Sequence, residues 1–517
     1  MHGALVLAAS AFLVKLIGAF FKVPLANILG GTGMGYFMTA YDMFGPVRSL
    51  AVAGIPVAVS KLVSESMAQK RYADAARIFR LALLLMCCTG VLGAAVLYLF
   101  GADFASIAGN PSADLAVTAM APAVFFCCLV SVYRGYYEGQ RNMYPTAVSQ
   151  VLEAVVRLVC GIGFAGAALR AGTRQFAETG FVFGYYAANE QQAAELLTSV
   201  TSAAAVLGVA VSSFAALLFF MLRHLVAGPD SRISDSAGET KILRPRGYGS
   251  ILWEILLTAV PVCLGSLVVS MGSLIDLFTV MNRLQFAITA QPAWFAQQYA
   301  QVLGGGVELA QLPNYLYGCY TGLALTIFGI VPAVTAVFGV SALPAVASAW
   351  AVRSYSRTHA NISAVLRIVS ILSCPAGLGI CVMSRPILEL FFAGRQDEIS
   401  VAAPLLSILG IAVIFVSLTA SVNSMLQGVG RMDLPVKIMF FGAVLKLLVN
   451  YFLIGLPQFG ILAAPLGSLC CYAFIVCMSV YALCGETGLK LSLWEVFGRP
   501  LLAGAACAAG ALSLIHI

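Results

Sequence analysis

Long apolar runs separated by short polar loops dominate the pattern of hydrophobic and polar positions along this chain of 517 residues. A helix needs about 20 apolar residues to cross the hydrocarbon core of a bilayer. Backbone inside lipid must satisfy its own hydrogen bonds, which favours helices over isolated strands. The pattern predicts thirteen membrane helices. They lie near residues 4–29, 34–60, 79–101, 113–137, 144–169, 197–222, 250–280, 313–340, 361–384, 398–426, 434–456, 460–484 and 498–517.

Composition agrees with an all-α polytopic membrane protein, because 61% of residues are hydrophobic and only 10% are charged. A soluble domain carries about 25% charged residues. Nearly all of the 14 cysteines fall inside apolar runs, with no CxxC pair, and the 4 histidines are scattered. We therefore interpret the cysteines as small buried residues and predict no metal site.

Two short motifs recur in the same order at nearly the same distance along the chain. Gly54–Ser60 returns as Ala342–Ser348, an offset of 288 positions (342 − 54). Glu138–Pro145 returns loosely as Gln427–Pro435, an offset of 289 to 290 (427 − 138 and 435 − 145). The repetition predicts two six-helix lobes, parallel repeats related by a pseudo-two-fold axis along the membrane normal, as in transporters that alternate access to a site between repeats.

The repeat defines the predicted domains as an N-terminal lobe at 1–222, a linker at 223–249, a C-terminal lobe at 250–485 and a thirteenth helix at 486–517. The last residues are still apolar, so we expect that this end is truncated before a fourteenth helix. The linker is flexible in composition, and its basic end is expected to face anionic lipid headgroups or a regulatory partner.

Basic residues are concentrated in one set of alternate loops, which predicts that this side and the N-terminus are cytoplasmic. The opposite loops carry far fewer, namely Arg170, Arg174, Arg283, Arg385 and Arg395. We expect a multi-pass protein of the bacterial cytoplasmic membrane, a monomer whose partners are membrane lipids and not nucleic acid.

Charged residues within the first two helices are mainly basic, although a charge at this depth costs roughly 2.5–3.5 kcal/mol. Lys15 and Lys22 are seven residues apart and share a helix face. Arg48 follows a predicted kink in the second helix, and Asp42 offers partial neutralisation. These residues either line a cationic cavity or, for Lys22 and Arg48, extend to an interface.

Two further pairs have i,i+4 spacing, Arg134 with Glu138 and Glu153 with Arg157. Residues four apart meet on one helix face, so each pair is either a structural ion pair or part of a polar pathway.

The C-terminal half contributes three more charges to predicted helices. Asp276 binds a coupling cation or pairs with a basic residue, and Arg283 lies two turns later at the helix end. Lys446 shares a helix face with Asn450 and is a candidate contribution to the cationic cavity.

The stretch Tyr133–Gln150 resembles the stage V sporulation protein B and MurJ-like branch of the MOP exporter superfamily. The same resemblance extends to Lys15–Pro24, the Gly30–Gly33 turn, Gly54–Glu65 and Ile275–Leu284. It implies two six-helix lobes around a central cationic cavity, with two further helices forming a groove for a lipid tail. Lys15, Lys22 and Arg48 fall where the family has basic residues, with lysine in place of the arginine common in the lipid II flippases.

The resemblance implies a flippase for undecaprenyl-pyrophosphate-linked saccharides, such as the cell-wall precursor lipid II, with a polyprenyl-pyrophosphate sugar lipid as partner. No cofactor is expected, and Na⁺, H⁺ or the membrane potential are the candidate driving forces. A multidrug cation antiporter would need carboxylates in the N-terminal cavity to hold cations and protons, and basic residues dominate there. Asp276 keeps this alternative open. A membrane enzyme of lipid-linked sugar metabolism would need catalytic acids in sizeable loops, and these loops are short. A passive scaffold is the remaining alternative.

Overall fold

A computed structural model describes residues 2–52, 54–227, 246–489 and 491–516. Most of the predicted linker, with the basic residues Arg232, Lys241 and Arg244, lies outside the described residues, as does Lys490. The helices are α1 His2–Val52, α2 Gly54–Ala68, α3 Tyr72–Ile107, α4 Asp114–Ala119, α5 Ala121–Gly139, α6 Tyr144–Thr179, α7 Glu190–Ala227, α8 Tyr248–Ala290, α9 Pro292–Gln298, α10 Ala300–Gly304, α11 Leu312–Gly318, α12 Leu325–Phe328, α13 Ile330–Ala351, α14 Tyr355–Val382, α15 Ser384–Phe391, α16 Gln396–Gly428, α17 Asp433–Ile454, α18 Ala463–Thr487 and α19 Arg499–His516.

The all-helical membrane fold is confirmed. Within the described residues, twelve helical segments are long and apolar enough to cross a bilayer. The first of them, Ala9–Ala68, contains the second predicted run and most of the first. Inside it Gly30 has a φ of 65°, so the backbone kinks where the sequence predicts a turn. Residues with a Cβ rarely adopt this left-handed region, which explains a glycine at the kink.

The predicted helix at 313–340 is wrong in detail. Its first part is α11, a π-helical turn at Cys319–Ala324 and the single turn α12, and the membrane-spanning helix α13 begins at Ile330 and extends to Ala351. Pro332 has no backbone N–H, so it cannot continue the hydrogen-bond ladder across Gly329. The sequence reading also missed a small hairpin, in which β1 (Phe181–Val182) pairs antiparallel with β2 (Tyr185–Tyr186). Phe183 and Gly184 both have positive φ, as a two-residue hairpin turn requires.

The chain folds into two compact units whose boundaries differ from those of the sequence repeat. Unit 1 holds the residues up to Phe21 together with Tyr36–Leu274, and unit 2 holds Lys22–Gly35 together with the residues from Ile275 onward. Unit 1 therefore includes the first part of α8, and the short segment Lys22–Gly35 of α1 packs within unit 2. The two lobes at 1–222 and 250–485 were inferred from the sequence repeat, and that division remains a prediction.

Helix packing inside each unit depends on small residues. In unit 1, α6 and α7 cross so closely that a Cβ on Gly208 would collide with the backbone of Gly161. In unit 2, a Cβ on Gly318 would collide with the carbonyl oxygen of Gly31. Without a hydrophobic driving force between helices in lipid, close backbone approach of this kind is a main source of helix association.

The duplicated sequence motifs are matched by duplicated local geometry. Lys70 and Arg141 in unit 1, and Arg353 and Gly430 in unit 2, all have positive φ at the turn after a helix. In each turn the positive-φ residue bonds three residues back and the next residue bonds five residues back, the pattern of a helix C-cap. Lys70 and Arg353 are 283 positions apart (353 − 70), and Arg141 and Gly430 are 289 apart (430 − 141), close to the offsets of the motifs.

Candidate functional site

Unit 1 contains a three-residue ion cluster built by α5 and α6. The carboxylate of Glu153 contacts the guanidinium of Arg134 at 2.9 Å through one oxygen and that of Arg157 at 2.8 Å through the other. Glu153 is buried, and both arginines are about one-fifth exposed. A charge inside a membrane is costly, so pairing with opposite charges is favourable. Two arginines and one glutamate leave the cluster with one net positive charge.

The expected pairing of Arg134 with Glu138 does not form. Arg134 lies on α5 and turns toward α6, where its Nε also donates to Ser149 at 3.1 Å. Glu153 is more deeply buried than Glu138, so it gains more from a cationic partner. The Glu153–Arg157 pair forms with the spacing predicted from the sequence, and Arg157 also donates to the Tyr41 hydroxyl at 3.5 Å.

Lys15 and Arg48 lie in unit 1 and have exposed side chains on helix α1. Among the residues that the structure describes, neither forms a hydrogen bond or an ion pair. The guanidinium carbon of Arg48 lies 5.9 Å from the ring centroid of Phe44. Lys15 and Arg48 are thus two exposed cations on a predicted membrane helix, in addition to the arginines held by Glu153.

The other two residues predicted near this group are placed differently. Lys22 is half-buried and belongs to unit 2, whereas Lys15 belongs to unit 1. Asp42 is half-buried in unit 1. Both Lys22 and Asp42 have interaction partners.

Unit 2 contains a second buried cluster, centred on Asp276 of α8. The ammonium of Lys446 donates to one carboxylate oxygen at 2.7 Å, and the amide of Asn450 donates to the other at 3.1 Å. The Tyr320 hydroxyl lies 3.5 Å from the same carboxylate and 3.3 Å from Ser468. Of the two roles considered for Asp276, the geometry is that of pairing with a basic residue.

Lys446 and Asn450 share a face of α17, as their spacing predicts, and both are buried. The Nδ2 of Asn450 also donates to Thr279 at 3.1 Å, while its Oδ1 has no hydrogen-bond partner among the described residues. That oxygen points at Gly467, where a Cβ would collide with it. Lys446 is therefore an internal partner of Asp276, which differs from the open cavity position predicted for it.

Arg283 lies apart from Asp276 in unit 2. Its Nε donates to the Tyr451 carbonyl at 3.0 Å, and its guanidinium carbon lies 4.4 Å from the Tyr451 ring centroid and 4.7 Å from that of Phe286. Cation–π contacts of this kind stabilise an arginine by roughly 0.5–1 kcal/mol at exposed sites.

Sequence reasoning missed Tyr41, Ser149, Tyr320 and Ser468 as members of these clusters. Hydroxyl residues are common in membrane helices, so residue type alone is a weak signal. Tyr320 had one usable signal, since it lies between Gly318 and Gly322 in a spacing typical of close helix packing. Within the described part of the chain, no group of three or more His, Cys, Asp and Glu residues has the arrangement of a metal site.

Two family models match separate parts of the chain. One is described as Polysaccharide biosynthesis protein and matches residues 1–166, and the other, MatE, matches residues 321–452. The chain is 24% identical over 498 residues to the lipid II flippase MurJ of Bacillus subtilis (strain 168), covering 92% of this chain and 82% of that protein. It is 34% identical over 162 residues to stage V sporulation protein B of the same organism, covering 31% of each chain.

The fold is shared with a multidrug resistance MATE family transporter of the MOP superfamily in its inward-facing conformation. The TM-score is 0.64 at 14% identity, and the match covers 94% of this chain and 100% of that one. The membrane-spanning helices, the family models and the curated relatives agree with one another. The described residues form a multi-pass, all-helical membrane fold shared with MOP superfamily transporters, and the sequence is similar to the lipid II flippase MurJ and, over 162 residues, to stage V sporulation protein B.

Proposed function

We propose that this transporter is a flippase that carries a polyprenyl-pyrophosphate-linked saccharide of the lipid II type from the inner to the outer leaflet. The observation that carries the proposal is the pair of exposed cations, Lys15 and Arg48, on a membrane helix of unit 1. Neither has an ionic partner among the described residues, and Glu153 is already occupied by two arginines.

The physical problem of such a substrate is its headgroup. A diphosphate and its sugars must cross roughly 30 Å of hydrocarbon, while the polyprenyl tail remains in lipid. Lysine and arginine donate charge-assisted hydrogen bonds to phosphate oxygens, which are about twice as strong as neutral ones. Uncompensated cations at membrane level meet this need, because binding the diphosphate also removes the cost of leaving them unpaired.

The relatives support the same substrate class. The lipid II flippase MurJ of Bacillus subtilis matches over most of this chain, and stage V sporulation protein B matches over 162 residues at 34% identity. The charge balance of unit 1 favours an anionic substrate over a cationic drug. In unit 2, Asp276 is engaged by Lys446, so it offers no open carboxylate for a drug cation.

A membrane potential that is negative inside favours outward movement of an anionic headgroup. The contribution is about 2.3 kcal/mol per elementary charge per 100 mV. We therefore propose the potential as one driving force for this transport.

The test is transport of a fluorescent polyprenyl-pyrophosphate disaccharide in proteoliposomes, with the wild type beside the Lys15→Ala/Arg48→Ala variant. We expect the variant to lose transport by about 100-fold, because two charge-assisted contacts are removed. A charge-matched control is Lys61→Ala/Arg170→Ala, which removes one lysine and one arginine from exposed positions outside the group. The control should transport at the wild-type rate.

Thermal unfolding in detergent should be unchanged in both variants, since Lys15 and Arg48 form no hydrogen bond or ion pair among the described residues. Wild-type transport in the Lys15→Ala/Arg48→Ala variant would contradict the proposal. Transport of a lipophilic cation by the wild type, without transport of the sugar lipid, would instead identify an antiporter.

A further inference from the structure

Unit 2 contains a second feature that the charged clusters do not explain, a cavity of about 390 Å³ lined by uncharged amides. Three glutamines, Gln297, Gln298 and Gln301, contribute to its wall. Their side-chain amides have no hydrogen-bond partner among the described residues. The volume lies within the range of small-molecule sites, about 300–1,000 Å³.

The three glutamine side chains line the same cavity because the helix is interrupted between Gln298 and Gln301. Helix α9 ends at Gln298, α10 begins at Ala300, and Tyr299 between them has non-helical φ and ψ of −112° and 30°. The ring of Tyr299 stacks on fully buried Phe295, with centroids 6.3 Å apart and planes within 11°. The contact between Tyr299 and Phe295 holds the two short helices in place, and these helices carry the glutamines.

The rest of the lining combines one hydroxyl with an apolar floor. The Ser400 hydroxyl donates to the Asp397 carbonyl at 2.7 Å, so only its lone pairs remain to accept a bond from a ligand. Val401, Pro404 and Ile461 provide apolar surface. None of the lining residues is charged.

This chemistry selects a neutral ligand with many hydroxyl groups and an apolar face. An amide both donates and accepts hydrogen bonds, so it fits adjacent hydroxyls, and the apolar floor fits the C–H face of a sugar ring. An anion would find no cation in this wall. The contrast is a cavity of about 370 Å³ in unit 1, whose lining includes the carboxylates of Asp114 and Glu195 and therefore suits a different ligand.

We propose that the cavity formed by Gln297, Gln298, Gln301 and Ser400 is a binding site for the neutral saccharide part of the substrate. This proposal rests on the proposed function, because it takes the saccharide to be the headgroup of the transported lipid. The cavity lies after the end of α8 and at the start of α16, on the side opposite the basic loops. Under the predicted topology this is the outer side, where a translocated headgroup emerges.

The test is binding of a soluble neutral disaccharide of N-acetylglucosamine to the full-length protein in nanodiscs, measured by saturation-transfer NMR and titration. We expect binding to the wild type and an affinity at least about tenfold lower for Gln297→Ala/Gln301→Ala, which loses two amide contacts. A second variant, Ala300→Trp, fills the cavity and should also abolish binding. The matched control is Gln285→Ala, an exposed glutamine on α8 outside the cavity.

Absence of saturation transfer with the wild type would overturn the proposal, as would equal affinity in the glutamine variant and the control. The Lys15→Ala/Arg48→Ala variant separates this proposal from the function of the protein. It should retain disaccharide binding while losing transport of the sugar lipid. Disaccharide binding that depends on the glutamines, in a protein that transports no sugar lipid, would uphold the site and refute the flippase function.

Discussion

Glu153 holds two guanidinium groups at once, one from its own helix and one from α5. Its two oxygens are 2.8 and 2.9 Å from their partners, and the carboxylate is buried. Removing one partner from a buried ionic group costs far more than the pair contributes, because the remaining charge is left without compensation. Glu153 is therefore the residue of unit 1 on which the electrostatic balance of this cluster depends most.

We predict that Glu153→Gln lowers the free energy of unfolding by about 3–5 kcal/mol, since Arg134 and Arg157, whose side chains are only about one-fifth exposed, then lose their carboxylate partner. Thermal or denaturant unfolding in detergent measures the change. The control is Glu178→Gln, which breaks the pair with Arg174 at side chains that are 59% and 82% exposed. An exposed pair contributes about 0–1 kcal/mol, so equal losses in the two variants would contradict the prediction.

How far residue chemistry could be predicted from the sequence depends on whether the partner is on the same helix. The Glu153–Arg157 pair and the shared face of Lys446 and Asn450 followed from helical spacing alone. The ion pair between Arg134 and Glu153 could not be predicted, because it depends on how α5 packs against α6. The same reason hid the contact of Lys446 with Asp276, which joins two helices 170 positions apart.

At the scale of elements, unit 2 is held together where the kinked segment of α1 meets α11 and the π-helical turn. Gly318 faces Gly31 and Gly35, and Gly322 faces Met34, and a Cβ at any of these four glycines would be crowded by the opposing segment. The amide of Asn314 donates to the carbonyl of Thr32 at 2.9 Å across the same contact. Close backbone approach through glycines therefore joins these two segments.

We predict that Gly318→Ala destabilises unit 2, because the new methyl group would collide with the carbonyl oxygen and backbone nitrogen of the facing segment. Overpacking of this kind costs about 1–3 kcal/mol. The control is Gly379→Ala on α14, where a Cβ would meet nothing within 4 Å. Helix propensity favours alanine there by up to about 1 kcal/mol. A melting temperature for Gly318→Ala equal to that of the control would refute the prediction.

Element positions were more predictable than element contacts. Apolar runs identified the membrane helices because burial in lipid imposes a length that the sequence displays directly. The exact start of α13 and the π-helical turn before it could not be predicted, since Pro332 and the packing of Gly318 and Gly322 act together there. The hairpin of β1 and β2 was missed because two-residue strands are too short to show an alternating pattern.

At the scale of the whole molecule, the duplicated turns and the charges of the loops predict the same orientation of the chain in the membrane. The turns at Lys70, Arg141, Arg353 and Gly430 share one geometry, and three of them place a basic residue in a conformation that glycine adopts more readily. In the topology predicted from the sequence, all four turns belong to the loops rich in lysine and arginine, which the distribution of basic residues predicts to be cytoplasmic. The hairpin of β1 and β2 lies at the opposite ends of its flanking helices.

We predict that this hairpin is outside the cell and that the segment between Ala227 and Arg246 is inside. Alkaline phosphatase inserted at Gly184 should be active, because the enzyme folds only outside the cytoplasm, and green fluorescent protein inserted between Ala227 and Arg246 should fluoresce. Exchanging the two reporters is the control, and both should then be inactive. Fluorescence of green fluorescent protein inserted at Gly184 would show that the orientation is the opposite of the predicted one. The amide-lined cavity would then lie on the cytoplasmic side, where it would meet the saccharide before transport and not after it.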